Sequence, residues 1–288
     1  MLPCEKPLSV RKAGNEIDIY YPCKFSENFI HYHFCRVDRD SENMHQWRMY
    51  SVRLASPEKK ELIKLYDQIE WEGAILEKGA KDFIGGYHGD ERGVSFSILA
   101  DACLMDPQED FDITCRYLRL STVSYLDRCD TPGDAVFLRF KDLTFDQNGY
   151  TIHNRFELLQ DFNIERFESI MMSFPLKIGD QRFITHAASN THPNPAFISL
   201  NPSENRDNPI FSGDAKATTF EVFAPAQHFY ARVQGLFDPE RYPNGFRVVD
   251  NWRVGSDHTF KAYFNLTGRY QAVKGEIIES SAVFTLEG

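Results

Sequence analysis

Residues 135–158 read AVFLRFKDLTFDQNGYTIHNRFEL, and this stretch decides the fold class. Gln147-Asn148-Gly149 stands between two runs rich in aromatic and β-branched residues. Asn-Gly between such runs is a strong hairpin signal, because the tightest turns need positive φ and these residues tolerate it. The stretch therefore predicts a strand ending near Phe145, a tight turn, and a second strand from Tyr150 to Leu158. Successive side chains of a strand point to opposite faces, so His153 and Arg155 share one face and Asn154 takes the other.

Working outward, the same grammar repeats. Upstream, Ile17–Tyr21, Phe29–Val37 and His45–Leu54 read as strands, and the polar cluster Asp38–Asn43 turns the last two into a hairpin. Gly73–Lys78, Gly93–Ala100 and Asp112–Leu126 follow, then an Asp-Thr-Pro-Gly turn at 130–133. Downstream lie Asn163–Leu176, Thr218–Phe223, Phe229–Gly235, Phe246–Val254, Thr259–Leu266 and Glu276–Leu286. One segment reads differently. Ser56 suits an N-cap and Pro57 the first helical position, and Leu62, Leu65, Tyr66 and Ile69 recur at helical spacing, which predicts about three helical turns over 57–69.

Roughly a dozen strands with one helix do not alternate as a parallel α/β fold requires. The expectation is all-β: a large antiparallel β-sandwich, jelly roll or supersandwich, with one short helix. The 288 residues are read as a single β-sandwich domain spanning 1–288. A long surface loop is expected at 192–213, where Pro193, Pro195, Pro202 and Pro209 fall among Asn, Ser and Asp.

Charge narrows the partners. Thirty-two basic and 42 acidic residues give a net charge of −10, against the concentrated basic footprint of a nucleic-acid binder. Without a long apolar run there is no membrane span, and the first residues carry no signal peptide. That favours a cytoplasmic protein, or an extracellular one if a signal was removed. The six cysteines lack CxxC spacing and read as apolar fillers in a reducing compartment.

Four groups of residues have chemical potential. The segment Lys81–Glu91 packs Gly85, Gly86 and Gly89 around Tyr87, His88, Asp90 and Glu91, a composition suited to close backbone approach beside polar groups. His31 and His33 share one strand face, with Cys35 continuing the row, and pose the alternative of a divalent metal in a small-molecule enzyme; otherwise no cofactor is implied. Third, His153, Arg155 and His186 could join His88 if their strands line one concave surface. A guanidinium neutralising a carboxylate beside an imidazole is what proton abstraction needs. Finally, Trp71 and Trp252 are candidates for stacking on the C–H faces of a sugar ring.

Gly-Gly-Tyr-His-Gly-Asp-Glu at 85–91 and Thr-Ile-His-Asn-Arg-Phe-Glu at 151–157, within a many-stranded chain, resemble carbohydrate-active β-sandwich proteins of the polysaccharide lyase and mutarotase-like supersandwich type. The resemblance implies cleavage of a polysaccharide or oligosaccharide, by β-elimination at a uronic acid or by hydrolysis. It would make His88 or His153 the base, Tyr87 an acid and Arg155 the carboxylate neutraliser; the residues themselves add Glu91 as a candidate catalytic group and Asp90, His186, Trp71 and Trp252 as candidate substrate contacts. A non-catalytic carbohydrate-binding or surface recognition protein is the alternative: aromatics and glycines then shape a groove that requires no titrating group.

Overall fold

The computed structural model describes residues 6–67, 71–190, 197–200, 217–236, 246–250, 259–267 and 269–288. In chain order the strands are β1 (Leu8–Ala13), β2 (Glu16–Pro22), β3 (Phe29–Arg39), β4 (Met44–Ala55), β5 (Glu61–Asp67), β6 (Ala74–Glu77), β7 (Glu91–Ala100) and β8 (Cys103–Met105). Next come β9 (Phe111–Cys115), β10 (Leu118–Arg128), β11 (Thr131–Asp146), β12 (Gly149–Leu158), β13 (Phe162–Pro175), β14 (Lys177–Ile178), β15 (Gln181–Arg182) and β16 (His186–Ser189). The last are β17 (Ile198–Ser199), β18 (Thr219–Ala224), β19 (Phe229–Gly235), β20 (Phe246–Asp250), β21 (Thr259–Thr267), β22 (Tyr270–Ala272) and β23 (Ile277–Glu287). Three short 3₁₀ turns are the helical content of the described residues.

The fold is a large, mostly antiparallel β-sandwich. One sheet runs β17-β16-β18-β19-β23-β12-β11-β10-β7-β4-β3-β2-β1-β9, with β5 beside β4 and β8 beside β7. A smaller sheet, β20-β21-β13-β22 with β6 beside β13, packs against it through contacts such as Phe156–Phe167 and Phe220–Phe260. The 147–149 hairpin forms as its sequence dictates: Asp146 pairs with Gly149 and Phe145 with Tyr150. No helix among the described residues is long and apolar enough to cross a membrane, and the five described cysteines are free thiols.

The expected helix over 57–69 is a turn and a strand. Ser56 Oγ accepts the Glu58 amide (3.2 Å), and the Lys59 amide donates to the Ser56 carbonyl (2.8 Å), so the cap-like Ser-Pro pair closes a turn. β5 then pairs with β4 through two bulges, between Val52 and Arg53 and between Leu54 and Ala55. Each bulge inserts one unmatched residue and breaks the period of two. Leu65 is fully buried, whereas Leu62 is 52% exposed, so the helically spaced residues share no buried face. Ile69, and most of the expected loop at 192–213, lie outside the described residues; within that loop Ile198–Ser199 pairs with β16.

Buried side chains of β10, β11, β12 and β23 line up in cross-strand rows. Leu118, Phe145, Tyr150 and Phe284 form one row, and Leu120, Leu143, Ile152 and Ala282 the next. Leu126, Phe137 and Leu158 form another apolar row at the opposite end. The two ends belong to separate apolar clusters. Burying each large side chain contributes roughly 1.5–3 kcal/mol. Between the clusters the rows turn polar.

Candidate functional site

The polar level begins with Thr122, Lys141, Asn154 and Ser280, which stand directly opposite one another across four strands. Ser124 and Arg139 occupy the adjacent row. Alternation sends all of them inward, in register with the leucines and phenylalanines on either side. Charges at such positions must be paired. Lys141 Nζ meets Glu72 Oε2 at 3.0 Å, and both side chains are fully buried. Arg139 donates through Nε and Nη2 to Asn154 Oδ1 (3.0 and 2.8 Å), through Nη2 to the Glu72 carbonyl, and through Nη1 to Glu91 Oε2 (3.2 Å).

Glu91 opens β7 and is wholly buried. Its carboxylate accepts the Ser124 hydroxyl (2.7 Å) and the Gly86 amide (2.9 Å) in addition to Arg139. Burial pushes its pKa up, but the Arg139 and Lys141 charges and these two hydrogen bonds outweigh that and hold it at about 2. Burial lowers the Lys141 pKa against the opposing pull of Glu72. The Gly86–His88 turn lies over this belt, and its carbonyl at Gly86 accepts Arg48 Nη1 (3.5 Å). Glycine is required here by φ and by space. Gly86 has φ +58, and a Cβ on it would sit 2.7 Å from the Gly73 carbonyl oxygen. At Gly89 φ is +90 and a Cβ would meet the Glu42 carbonyl oxygen at 2.2 Å.

The belt approaches solvent where the large sheet divides. β4 and β7 pair in parallel only at Met44–Glu91 and His45–Arg92. Beyond those pairs a cleft of about 240 Å³ opens, lined among others by Arg36, His45, Gln46, Trp47, Phe96 and Thr122. Trp47 and Phe96 stack with centroids 4.6 Å apart at 16°. Gln46 and Thr122 are more than nine-tenths buried, yet Gln46 Oε1 and Thr122 Oγ1 have no hydrogen-bond partner. Ser124 joins the two features, lining the cleft while donating to Glu91. His45 stands at the rim, 3.4 Å from both Asp38 Oδ1 and Asp40 Oδ1.

The residues singled out in the sequence are distributed as follows. Glu91 sits in the buried belt. Tyr87 lies beneath the Arg48 guanidinium, 5.5 Å from its ring centroid, and His88 Nδ1 is 3.2 Å from Asp82 Oδ1. Asp90 pins loops: Oδ2 accepts the Asp130 amide and Oδ1 the Asn43 side chain, while burial raises its pKa. His153 and Arg155 are on the face of β12 opposite Asn154. There His153 bonds Ser281 Oγ (2.6 Å) and Arg155 pairs with Glu157, across the sheet from the turn that carries His88. His186 is four strands from His153 and six residues out of register with it along the sheet, and it bonds its neighbour Thr185. These imidazoles therefore do not converge with His88 on one surface.

Trp71 is completely buried, stacked on Phe284 (5.2 Å, 7°) with Nε1 donating to the Ser173 carbonyl, so neither ring face is open to a sugar. Trp252 lies outside the described residues. His31 and His33 come together as expected, and the structure adds Asp18 between them. The cleft residues Gln46, Thr122 and Phe96 carried no motif; what identifies them is the parting of β4 from β7, a tertiary event. Trp47 and His45 are both in the strand read from the sequence.

No family model matches the chain, and no curated protein matches its sequence. Several solved structures are similar. A galactose mutarotase related enzyme from Lactobacillus acidophilus matches with a TM-score of 0.47 at 7% identity, over 94% of this chain and 97% of that one. A galactose mutarotase-like protein from Clostridium acetobutylicum gives 0.45 at 8%, over 98% and 99%. The galactosidase domain of an α-galactosidase–sucrose kinase gives 0.44 at 12%, over 99% of this chain and 41% of that chain, so this chain spans well under half of its length. These three are named as mutarotase-like and galactosidase proteins, not as polysaccharide lyases.

Proposed function

We propose that this protein is carbohydrate-active through recognition, holding a single sugar ring in the cleft between β4 and β7. One observation carries the reading: the Trp47–Phe96 stack stands beside two buried polar atoms, Gln46 Oε1 and Thr122 Oγ1, that lack a hydrogen-bond partner. A buried acceptor left unpaired costs about 1–3 kcal/mol, and a ligand hydroxyl donating to it offsets that cost. A pyranose offers hydroxyls around its edge and an apolar C–H surface that suits an aromatic wall. The size fits one ring better than a chain, since 240 Å³ is below the roughly 300–1,000 Å³ of drug-sized ligand pockets.

Binding is favoured over cleavage by the titratable groups. Among the described residues lining the cleft, only His45 and Arg36 carry them. Two-group acid–base chemistry at an anomeric carbon needs a second proton carrier on the far side. Glu91 does not supply it, being buried, ionised and bonded to Arg139, Ser124 and Gly86. The sugar-acting names of the similar structures agree with this reading but add no weight to it.

Calorimetric titration with a panel of neutral hexoses, pentoses and uronic acids tests it, with polarimetry of freshly dissolved α-sugars run in parallel. Saturable binding lost in Trp47→Ala, without accelerated mutarotation or release of reducing ends, is the expected outcome. Binding to Trp47→Ala as tight as to the wild type would overturn the site, and turnover abolished by His45→Ala would convert it into an enzyme.

A further inference from the structure

The β2–β3 hairpin carries a side-chain cluster remote in role from the cleft. Asp18 stands directly opposite His33, and Tyr20 opposite His31, so alternation places all four on one face. Asp18 Oδ1 lies 2.7 Å from His31 Nε2 and 2.9 Å from His33 Nδ1. The three potential ligand atoms fall within 4.8 Å of one another. Both rings are braced. Tyr20 stacks on His31 (4.4 Å, 6°), and Tyr50 meets His33 edge-on (6.2 Å, 87°). All three ligand side chains remain partly open to solvent.

We infer that Asp18, His31 and His33 form a site for one divalent transition-metal ion, zinc by preference, independent of the sugar reading. Two imidazole nitrogens and one carboxylate oxygen are a borderline donor set that suits zinc, whereas calcium and magnesium want oxygen throughout. Bonds of about 2.0–2.2 Å in a tetrahedron put ligand atoms about 3.3 Å apart. The present 2.7 and 2.9 Å separations need to open by only about 0.5 Å, within reach of side-chain rotation on an unmoved backbone. Each hydrogen bond to Asp18 places a proton on the imidazole nitrogen that faces it. The ion takes the position of those protons and releases to solvent any that leave the protein.

Three protein ligands with solvent beside them leave the fourth position for water, the arrangement of a reactive zinc site rather than a closed structural one. Neighbouring cations leave room for the ion: Arg11, opposite Asp18 on β1, is exposed to solvent. Arg53, opposite His31, is matched by Glu61 (3.0 Å) and Asp67 (3.8 Å), and Lys59 is drawn off to Ser9 Oγ (2.8 Å) over the Tyr20 ring.

The test uses the full chain without an affinity tag, stripped by chelator, then titrated with zinc chloride by calorimetry and with cobalt(II) by visible absorption. One ion per chain is expected, with the intense cobalt bands of a four-coordinate N/O site. Affinity should fall at least about tenfold in His31→Ala, in His33→Ala and in Asp18→Asn, and vanish in the double histidine variant. Circular dichroism establishes that each variant is folded, and His33→Gln, which keeps a polar side chain on the strand, replaces any that is not. Absence of saturable binding by the wild type overturns the site, as does binding that survives the double histidine variant unchanged.

Discussion

Replacing Glu91 with glutamine removes one charge from the buried belt and almost no volume. The structure gives the cost by two routes. The carboxylate is held at about 2 against an ordinary 4.5, because Arg139, Lys141, Ser124 and Gly86 together outweigh the burial that would raise it. At 1.36 kcal/mol for each tenfold in proton affinity, that difference places about 3 kcal/mol of folding stability on the ionised form. Independently, removing one partner of a buried ion pair costs about 3–5 kcal/mol, since the other is left uncompensated. Glu91→Gln should therefore lose about 3 kcal/mol at pH 7 in urea unfolding, with an unchanged m-value. The pH dependence is specific. A depressed carboxylate contributes in full above its unfolded pKa near 4.5 and loses that contribution as pH falls towards 2. The gap between wild type and variant should thus stay level from pH 7 to about 5, then close. A gap below about 1 kcal/mol at neutral pH, or one that persists unchanged to pH 3, refutes the assignment of Glu91 as the ionised anchor of the belt.

Gly89→Ala, with φ +90 and a Cβ 2.2 Å from the Glu42 carbonyl oxygen, should cost at least about 2 kcal/mol; Gly133→Ala shares φ +90 but meets nothing within 4 Å and should cost only about 1 kcal/mol, so equal losses in denaturation would discount the clash. Trp71→Ala should cost about 3–5 kcal/mol and abolish cooperative packing signals in near-ultraviolet circular dichroism, whereas a neutral effect would show that this ring is not core. Asp18→Asn in metal-free protein should lose about 1–2 kcal/mol at neutral pH. Burial raises the Asp18 carboxyl, but hydrogen bonds from His31 and His33 and their charges hold it below its ordinary 3.8, so that loss should fade only as the pH drops beneath this value; a loss already gone well above it contradicts the assignment.

Strands were legible where one face is buried and the period is two. The 135–158 hairpin, β3, β18, β19 and β23 all fall on runs whose alternation matches their burial. β5 was not legible, because its two bulges convert alternation into a spacing that imitates a helix and Ser56-Pro57 imitates a cap. The histidine pair was visible from spacing alone, since i and i+2 share a face, but Asp18 sits on the neighbouring strand and only the register brings it there. The glycine-rich segment was correctly marked as a place of close backbone approach. Its chemistry was not legible, because a sequence shows that Glu91 exists but not that Arg139, 48 residues on, neutralises it.

Why a sandwich should bury the ion pairs Lys141–Glu72 and Arg139–Glu91 follows from what alternation can and cannot specify. Period two decides which face is buried, but a slip of two residues restores the same parity and leaves every apolar side chain inward. In this sheet such a slip of β11 against β10 would move Lys141 opposite Leu120 or Ser124, and would carry Arg139 and Lys141 away from Glu91 and Glu72. Each displaced charge would then be buried without its partner, at several kcal/mol apiece. The belt thus supplies a penalty that the leucine and phenylalanine rows do not, and it selects one register among those with equal parity. The cost is a row of polar atoms that must all find partners. Arg139 meets that condition in the middle of the sheet, reaching Asn154, Glu91 and the Glu72 carbonyl, whereas Asn154 Nδ2 and Ser280 Oγ in the same row find no partner, as do two atoms at its margin, where β4 leaves β7. There Gln46 Oε1 and Thr122 Oγ1 face the cleft with their acceptor capacity unused. A device that fixes the register inside the sheet becomes, at its margin, the polar floor of the cleft.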